Sequence, residues 1–460
     1  MIIPDYIKSS ASFRDPSGFI FKQSGKIYRA INLSYKADYD FLMSSGLYER
    51  LINENLLIPH SEINEVNKTH SDIYKIIQPE EIRFISYPYE WSFSQLKDAA
   101  LLTLRLQKIA IEYGMILKDA SSFNIQFWEG QPIFIDTLSF EKYVEGEPWI
   151  AYRQFCTHFL ATLLLMKYRD LKMNRLLSLF IDGIPLDLTK SLLPLISFFK
   201  VSYFSHIYLH SLSETYASSK SIEKRKLNIT KNGILGLVEN LEKSIRNINL
   251  KVKKSVWRDY YSDNNYQKKE FENKQKIINE YLSLINPKTI IDLGANTGLF
   301  SRIASGKGIY TISSDFDPYC VELNSIEVKK KKEKNILPLL IDLTNPSPSL
   351  GWHNVERDSF IKRNKVDAVL ALALIHHLLI SNNVPFENLI LLFSELSDYL
   401  IIEFVPKEDI QVKSLLVNRK DIYASYNQAH FEEIFKQKYD IIKKNIITES
   451  ERTLYLMKLK

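Results

Sequence analysis

From Thr289 onward, short apolar runs recur with helix-length amphipathic stretches between most of them: TIIDL, IYTISSD, ILPLLID, VDAVLALAL and YLIIEF. Runs that are apolar throughout suit strands buried on both faces, and their alternation with helices predicts a parallel sheet covered on each side. Two further runs, YDIIKKNIIT and RTLYLMKLK, are separated only by ESE. So short a link permits antiparallel pairing alone, which predicts a terminal hairpin and brings the strand count from five to seven.

The earlier half has a different texture. GFIFKQSGKIYRAI alternates around Ser24-Gly25 as a hairpin does, and FSQLKDAALLTLRLQKIAIEYG predicts a helix from Phe93 to Gly114. NIQFWEGQPIFIDTLSF then predicts two short strands around Glu129-Gly130, and WIAYRQFCTHFLATLLLMKY another helix. This is an α+β pattern without internal repeats. Between the halves, Glu214 to Lys254 is rich in Lys, Ser and Asn. The expected division is an α+β domain over residues 1–213, a Lys-rich connection over 214–254 and an α/β domain over 255–460.

Composition narrows the classes. A chain of 460 residues, 45% hydrophobic and 25% charged, is long enough for two cores and ordinary for a globular protein. Its two cysteines, Cys156 and Cys320, form no C-x-x-C pair, so neither a disulfide framework nor a zinc site is expected. MIIPDYIKSS lacks the basic start and apolar block of a secretory signal, and FLATLLLM is too short to span a bilayer. The expectation is a cytoplasmic protein with no transmembrane segment. Net charge is +6, concentrated in KSIEKRKLNITK and LKVKKSVWR between residues 220 and 258 and in KKKKEK from Lys329. We read these as a solvated connection and the outer face of a helix, with a phosphate-bearing or membrane-surface partner as the alternative; nucleic acid is not expected.

The candidate chemistry sits in IDLGANTGLF, residues 291 to 300. Asp292 closes a strand, Gly294 and Gly298 frame a turn, and Leu299-Phe300 begin a helix. Glycine is required where a backbone takes a positive φ or approaches a ligand closely. A dinucleotide fingerprint would need glycine where Asn296 and Leu299 stand, so close pyrophosphate approach is disfavoured. The turn suits a ligand with an amino-acid end, a nucleoside end and no phosphates. The next strand ends in SSDFDP, placing Asp315 to accept from ribose hydroxyls, and the third in LLIDLT, placing Asp342 to accept from an adenine amino group.

DLGANTG, then SDFD, then IDL resembles the class I S-adenosylmethionine-dependent methyltransferases over roughly residues 255 to 460. The resemblance implies a seven-stranded Rossmann-like sheet. It also implies that Gly294, Asn296 and Gly298 line the methionine part, Asp315 the ribose and Asp342 the adenine, with Asp292 among the cofactor-binding residues. Chemistry is then expected where the fourth and fifth strands end, at His376, His377 and Glu403, with no metal. Either histidine could act as a base for a hydroxyl acceptor or merely shape the cavity, and Glu403 could be a cavity-wall or a structural acid. TNPSPS follows the third strand and lacks an aromatic after its second proline, which argues against methylation of base amino groups.

GWHNVERDSFIKR offers Trp352, Glu356, Arg357 and Arg363 in a loop expected near the active-site mouth, with Trp352 and Arg357 as candidate substrate-binding residues. With ALIHHLLISNNVP, IEFVPKED and the N-terminal SGLYERLINENLLIP, it is similar to bacterial methyltransferases of the nodulation-protein type. That likeness implies a small-molecule or glycan-type acceptor. The oligomeric state is not legible.

KDASSFNIQFWEGQPIFIDTLSF resembles the catalytic segment of kinases, with Asp119 as base and Asn124 and Asp136 as metal-binding residues, implying ATP and Mg2+. Leu117-Lys118 and Thr137-Leu138 depart from the usual flanks, no glycine-rich nucleotide loop precedes them, and Arg29 is the nearest candidate for the usual lysine. Three readings stand: a kinase-like domain in a bifunctional kinase-methyltransferase, similar to polysaccharide chain-terminating enzymes that join these activities in the opposite order; a module that positions the acceptor; or a binding scaffold with a degenerate cofactor pocket.

Overall fold

A computed structural model describes residues 7–63, 72–200, 203–209, 228–250, 268–417 and 422–460. The chain divides into two compact units, one of Met1–Lys251 with Ser349–Asp358 and one of Val252–Pro348 with Ser359–Lys460.

The first unit is α+β. Strands β1 (Ile7–Lys8), β2 (Gly18–Gln23), β3 (Lys26–Asn32), β4 (His60–Ile63) and β5 (Ile73–Pro79) form an antiparallel sheet in the order β1-β2-β3-β5-β4. The β2–β3 reversal uses Ser24 (φ 50°) and Gly25 (φ 77°), the paired positive φ that matches strand twist in a tight hairpin. The helix Phe93–Glu112 starts with a capping box in which Ser92 and Gln95 satisfy each other's backbone N–H groups. Beyond it, β6 (Met115–Leu117) pairs with β9 (Phe140–Lys142), and β7 (Ile125–Trp128) with β8 (Gln131–Phe134) across Glu129-Gly130. The apolar stretch after Ala151 runs as helix Tyr152–Phe155, a π-helical segment Cys156–Leu160, and helix Ala161–Tyr168.

Of the expected connection, residues 214–227 and 251–254 lie outside the described residues. Between them Thr230 caps a helix, Lys231–Arg246, that buries Ile234, Val238, Leu241 and Ile245 on one face. The basic stretches of residues 220–231 and 250–258 likewise fall mostly outside the described residues. KKKKEK does not: Lys329, Lys330 and Lys331 form the last turn of the helix Pro318–Lys331, where cations favour the helix dipole, and Lys332 (φ 54°) ends it.

The second unit is the predicted α/β sheet. Its strands are β10 (Thr289–Leu293), β11 (Tyr310–Asp315), β12 (Ile336–Leu340), β13 (Val366–Ala371), β14 (Ser397–Phe404), β15 (Tyr439–Ile446) and β16 (Thr453–Leu459). The order is β12-β11-β10-β13-β14-β16-β15. Pairings from β12 to β14 are parallel, and β16 enters antiparallel between β14 and β15. Ile290, Leu370, Ile401 and Leu456, from adjoining strands, pack with Ile278 and Leu282 of the helix Lys268–Ile285. Each such side chain contributes about 1.5–3 kcal/mol by leaving water. Strand order reverses between β11-β10 and β13, which opens a crevice at the carboxyl ends of these strands. Cys156 and Cys320 are both buried thiols that form no disulfide. Among the described residues no helix is long and apolar enough to cross a membrane.

Candidate functional site

The crevice is a cavity of about 380 Å³ lined by the loops that leave four of the parallel strands. Asp292, Gly294, Ala295 and Asn296 come from the end of β10 and its turn. Asp315 and Phe316 come from β11, Ile341 to Thr344 follow β12, and Leu372 to Leu374 follow β13.

The turn is held by its neighbours. Gly294 (φ 75°) has its N–H on the Ser314 carbonyl, and an added Cβ would lie 3.2 Å from Leu374 Cδ1. The Asp315 carboxylate accepts the Asn296 N–H at 2.7 Å on Oδ2 and the Asp317 N–H at 2.8 Å on Oδ1. It therefore fixes the loop while keeping lone pairs for a ligand. Ser301 donates its hydroxyl to Asp292 Oδ2 at 2.6 Å. Burial pushes both Asp292 and Asp315 up to about 6. Asp342 accepts from the Thr344 N–H and hydroxyl, at 3.0 and 2.6 Å.

Of the glycine-turn residues expected at the cofactor, Gly298 alone does not line the cavity. An added Cβ there would meet the Asn324 amide at 2.5 Å and Arg302 Nη1 at 2.8 Å. Gly298 thus serves the clamp by which Arg302 holds the Thr297 and Gly298 carbonyls, at 2.8 and 3.1 Å, while pairing with Glu333.

The two histidines part company. His377 lines the cavity at the start of the π-helical segment His377–Ser381, and burial pushes it down to about 4, so it is neutral at pH 7. His376 is fully buried behind it, held well below the usual range by burial, and its ring nitrogens have no hydrogen-bond partner. Glu403 is also fully buried and is not a lining residue; its Oε2 lies 2.6 Å from Lys274 Nζ. Lys274 does line the cavity, and it was missed from the sequence. Its signal was a lysine on the apolar face of an amphipathic helix, in register with Ile277, Ile278 and Tyr281.

Of the candidate substrate-binding loop, Trp352, Glu356 and Arg357 belong to the first unit and Arg363 to the second. Glu356 is buried against Arg14, with Nε to Oε1 at 2.7 Å, and accepts the Trp352 N–H at 3.0 Å. The Arg357 guanidinium lies 4.7 Å from the centre of the Phe123 ring, and Trp352 is 71% exposed. Neither Trp352 nor Arg357 lines the cavity. The partners of Glu356 and Arg357, Arg14 and Phe123, lie hundreds of residues away in sequence, beyond the reach of local patterns.

In the first unit Asp119, Asn124 and Asp136 do come together. Asp119 accepts the Ser121 N–H at 2.9 Å and bonds the Asn124 and Gln154 side chains; burial first, then the charge of Asp136, raises its pKa. Asp136 Oδ1 takes Arg29 Nη1 at 2.6 Å and the Leu138 N–H at 3.1 Å, and Oδ2 takes the Ser139 hydroxyl at 2.6 Å. Arg29 Nη2 meets Asp15 at 2.6 Å. Both oxygens of Asp136 are therefore engaged by the chain, and among the described residues no three His, Cys, Asp or Glu side chains are grouped to hold a metal ion. The cluster does not fit magnesium-bound nucleotide, because Arg29 supplies the balancing cation.

The second unit has the fold of class I S-adenosylmethionine-dependent methyltransferases: five parallel strands in this order, then a hairpin whose last strand is inserted. No family model matches the chain. It is 35% identical over 454 residues, 97% of this chain and 95% of the relative, to "Nodulation protein NoeA" of Rhizobium meliloti (strain 1021). Among solved structures, magnesium protoporphyrin IX methyltransferase (ChlM) from Synechocystis PCC 6803 with bound SAM has a TM-score of 0.30 at 17% identity, covering 44% of this chain and 89% of that one. The bifunctional kinase-methyltransferase WbdD has a TM-score of 0.32 at 15% identity, covering 44% of this chain and 42% of that one.

Proposed function

The chain belongs to the family of the nodulation protein NoeA, and from that premise we propose that it transfers a methyl group from S-adenosylmethionine to a small-molecule or glycan-type acceptor. One observation carries this reading: carboxylates at the ends of three adjoining strands share a single cavity with a turn whose Gly294 takes a positive φ and lies tight against Leu374. That set of acceptors suits a phosphate-free nucleoside with an amino-acid end.

The cofactor supplies an electrophilic methyl group on a positively charged sulfur. The chain's work is to bind, orient and exclude water. Gly294 lets the backbone approach the amino-acid end, Asp315 accepts from the ribose hydroxyls, and Asp342 accepts from the adenine amino group. Phe300, Ile341 and Leu372 wall the cavity with apolar surface. His377 faces the same space as a neutral imidazole. With its pKa near 4 it is a weak base, so it serves to orient an acceptor hydroxyl more than to remove the proton. We assign the first unit to holding the acceptor and the reaction to the cytoplasm.

A second reading, phosphoryl transfer by the first unit, is favoured by the convergence of Asp119, Asn124 and Asp136 and opposed by the Arg29 clamp on Asp136. Heat denaturation with each ligand separates the possibilities, since a ligand stabilises the state that binds it. S-adenosylmethionine alone should raise the midpoint. A rise with magnesium-ATP would favour the bifunctional enzyme, and no rise with either would leave a non-catalytic scaffold.

A further inference from the structure

The helix Lys268–Ile285 puts a lysine where its register calls for an apolar residue. Lys274 is 2% exposed, and it shares a face with Ile277, Ile278 and Tyr281. An isolated buried ammonium is strongly disfavoured. This one is balanced by Glu403 Oε2 at 2.6 Å and lies 4.6 Å from the centre of the Phe300 ring.

The balance continues away from the cavity. Glu403 Oε1 lies 3.6 Å from Arg452 Nη1, and Arg452 grips Asp409 through Nε at 2.7 Å and Nη2 at 3.1 Å. Asp409 in turn caps the helix Ile410–Leu416, whose Leu415 lines the cavity. A chain of alternating charge, Lys274–Glu403–Arg452–Asp409, therefore fixes both a cavity cation and a cavity wall.

Among the described residues lining the cavity, Lys274 is the one lysine or arginine, and it lies on the side of Asp292, close enough for each charge to shift the other's titration. An α-amino acid presents an ammonium and a carboxylate together. Asp292 and Lys274 are the complementary pair.

Building on the S-adenosylmethionine reading, we propose that Lys274 binds the carboxylate of the cofactor's amino-acid end and that Glu403 is a positioning residue that aims it. Lys274 thereby makes the site a reader of the whole amino acid, not of the nucleoside alone.

The test is calorimetric titration of the full chain with S-adenosylmethionine, its decarboxylated form, and methylthioadenosine, which lacks the amino acid. The parent should prefer S-adenosylmethionine over the decarboxylated form by about tenfold or more, the size of a charge-assisted bond. Lys274→Met should bring that ratio close to one and leave methylthioadenosine within about twofold of the parent. Because Lys274→Met strands the Glu403 charge, the double variant Lys274→Met with Glu403→Gln repeats the measurement with both charges removed. Glu403→Gln alone should lower the ratio while sparing methylthioadenosine. A parent that does not discriminate, or variants that keep the ratio or weaken all three ligands equally, would overturn the proposal. A parent that binds none of the three would instead remove the cofactor reading on which it rests.

Discussion

Two clusters of acidic and amide side chains, one in each unit, have opposite fates. Asp292, Asp315 and Asp342 end adjoining parallel strands and face a cavity, whereas Asp119 is bonded to Asn124 and Asp136 is closed by a guanidinium. The sequence spacing of both sets is suggestive. What separates them is where the nearest cation sits: Arg29 spans Asp15 and Asp136 within hydrogen-bond distance, while Lys274 stands in the cavity wall, held by Glu403. An acid is poised for a ligand when its own chain has not already balanced it.

The largest expected effect falls on the open cluster. Gly294→Arg combines a positive φ, a Cβ against Leu374 and a long side chain in the cavity, and should weaken S-adenosylmethionine binding about a thousandfold or more, some 4 kcal/mol by titration. Unchanged affinity would show that the turn is not the binding element. Next, Arg29→Met leaves Asp15 and Asp136 without their counter-charge. Allowing for their partial exposure, it should cost about 2–3 kcal/mol in chemical denaturation and leave cofactor affinity within about twofold. A neutral result would mean that the closed cluster is not held by its clamp.

Acidity gives a smaller effect and tests the open cluster again. Asp315 titrates near 6, and a protonated carboxyl accepts poorly from ribose hydroxyls. Affinity for S-adenosylmethionine should therefore fall about tenfold between pH 7 and pH 5. The apo protein responds in the other direction at this group. A folded pKa raised above the unfolded value adds stability that is fully present below about pH 4 and lost as pH rises through about 6. A flat affinity profile would show that Asp315 does not contact the ligand. Smallest of all, magnesium-ATP should move the melting midpoint by less than about 1 °C, and a shift of several degrees would show that the Arg29 clamp opens.

Much of this was legible in the chain. The runs from TIIDL to YLIIEF announced the parallel sheet because apolar continuity is the direct imprint of burial on both faces, and Ser24-Gly25 and Glu129-Gly130 marked hairpins because the glycine of each pair takes a positive φ at little cost. Local chemistry also pointed to Gly294, Asp315 and Asp342. It could not tell which of His376 and His377 faces the cavity, since adjacent residues on a winding segment diverge. Nor could it show that Gly298 serves Arg302 and Asn324, that Glu356 answers Arg14, or that Glu403 is paired with a lysine on a distant helix. Those facts are set by which surfaces meet in the folded unit, and a one-dimensional pattern records only that a position is buried.

The placement of β16 between β14 and β15 has a consequence for synthesis. Because Thr453–Leu459 is the last strand of the sheet to leave the ribosome, the β14 edge, with Leu400, Ile401 and Ile402, stays uncovered throughout translation of everything before it. A nascent or truncated chain would offer that bare edge to its neighbours, so deletion of residues 453–459 should convert the protein to insoluble aggregate rather than to a slightly shorter enzyme.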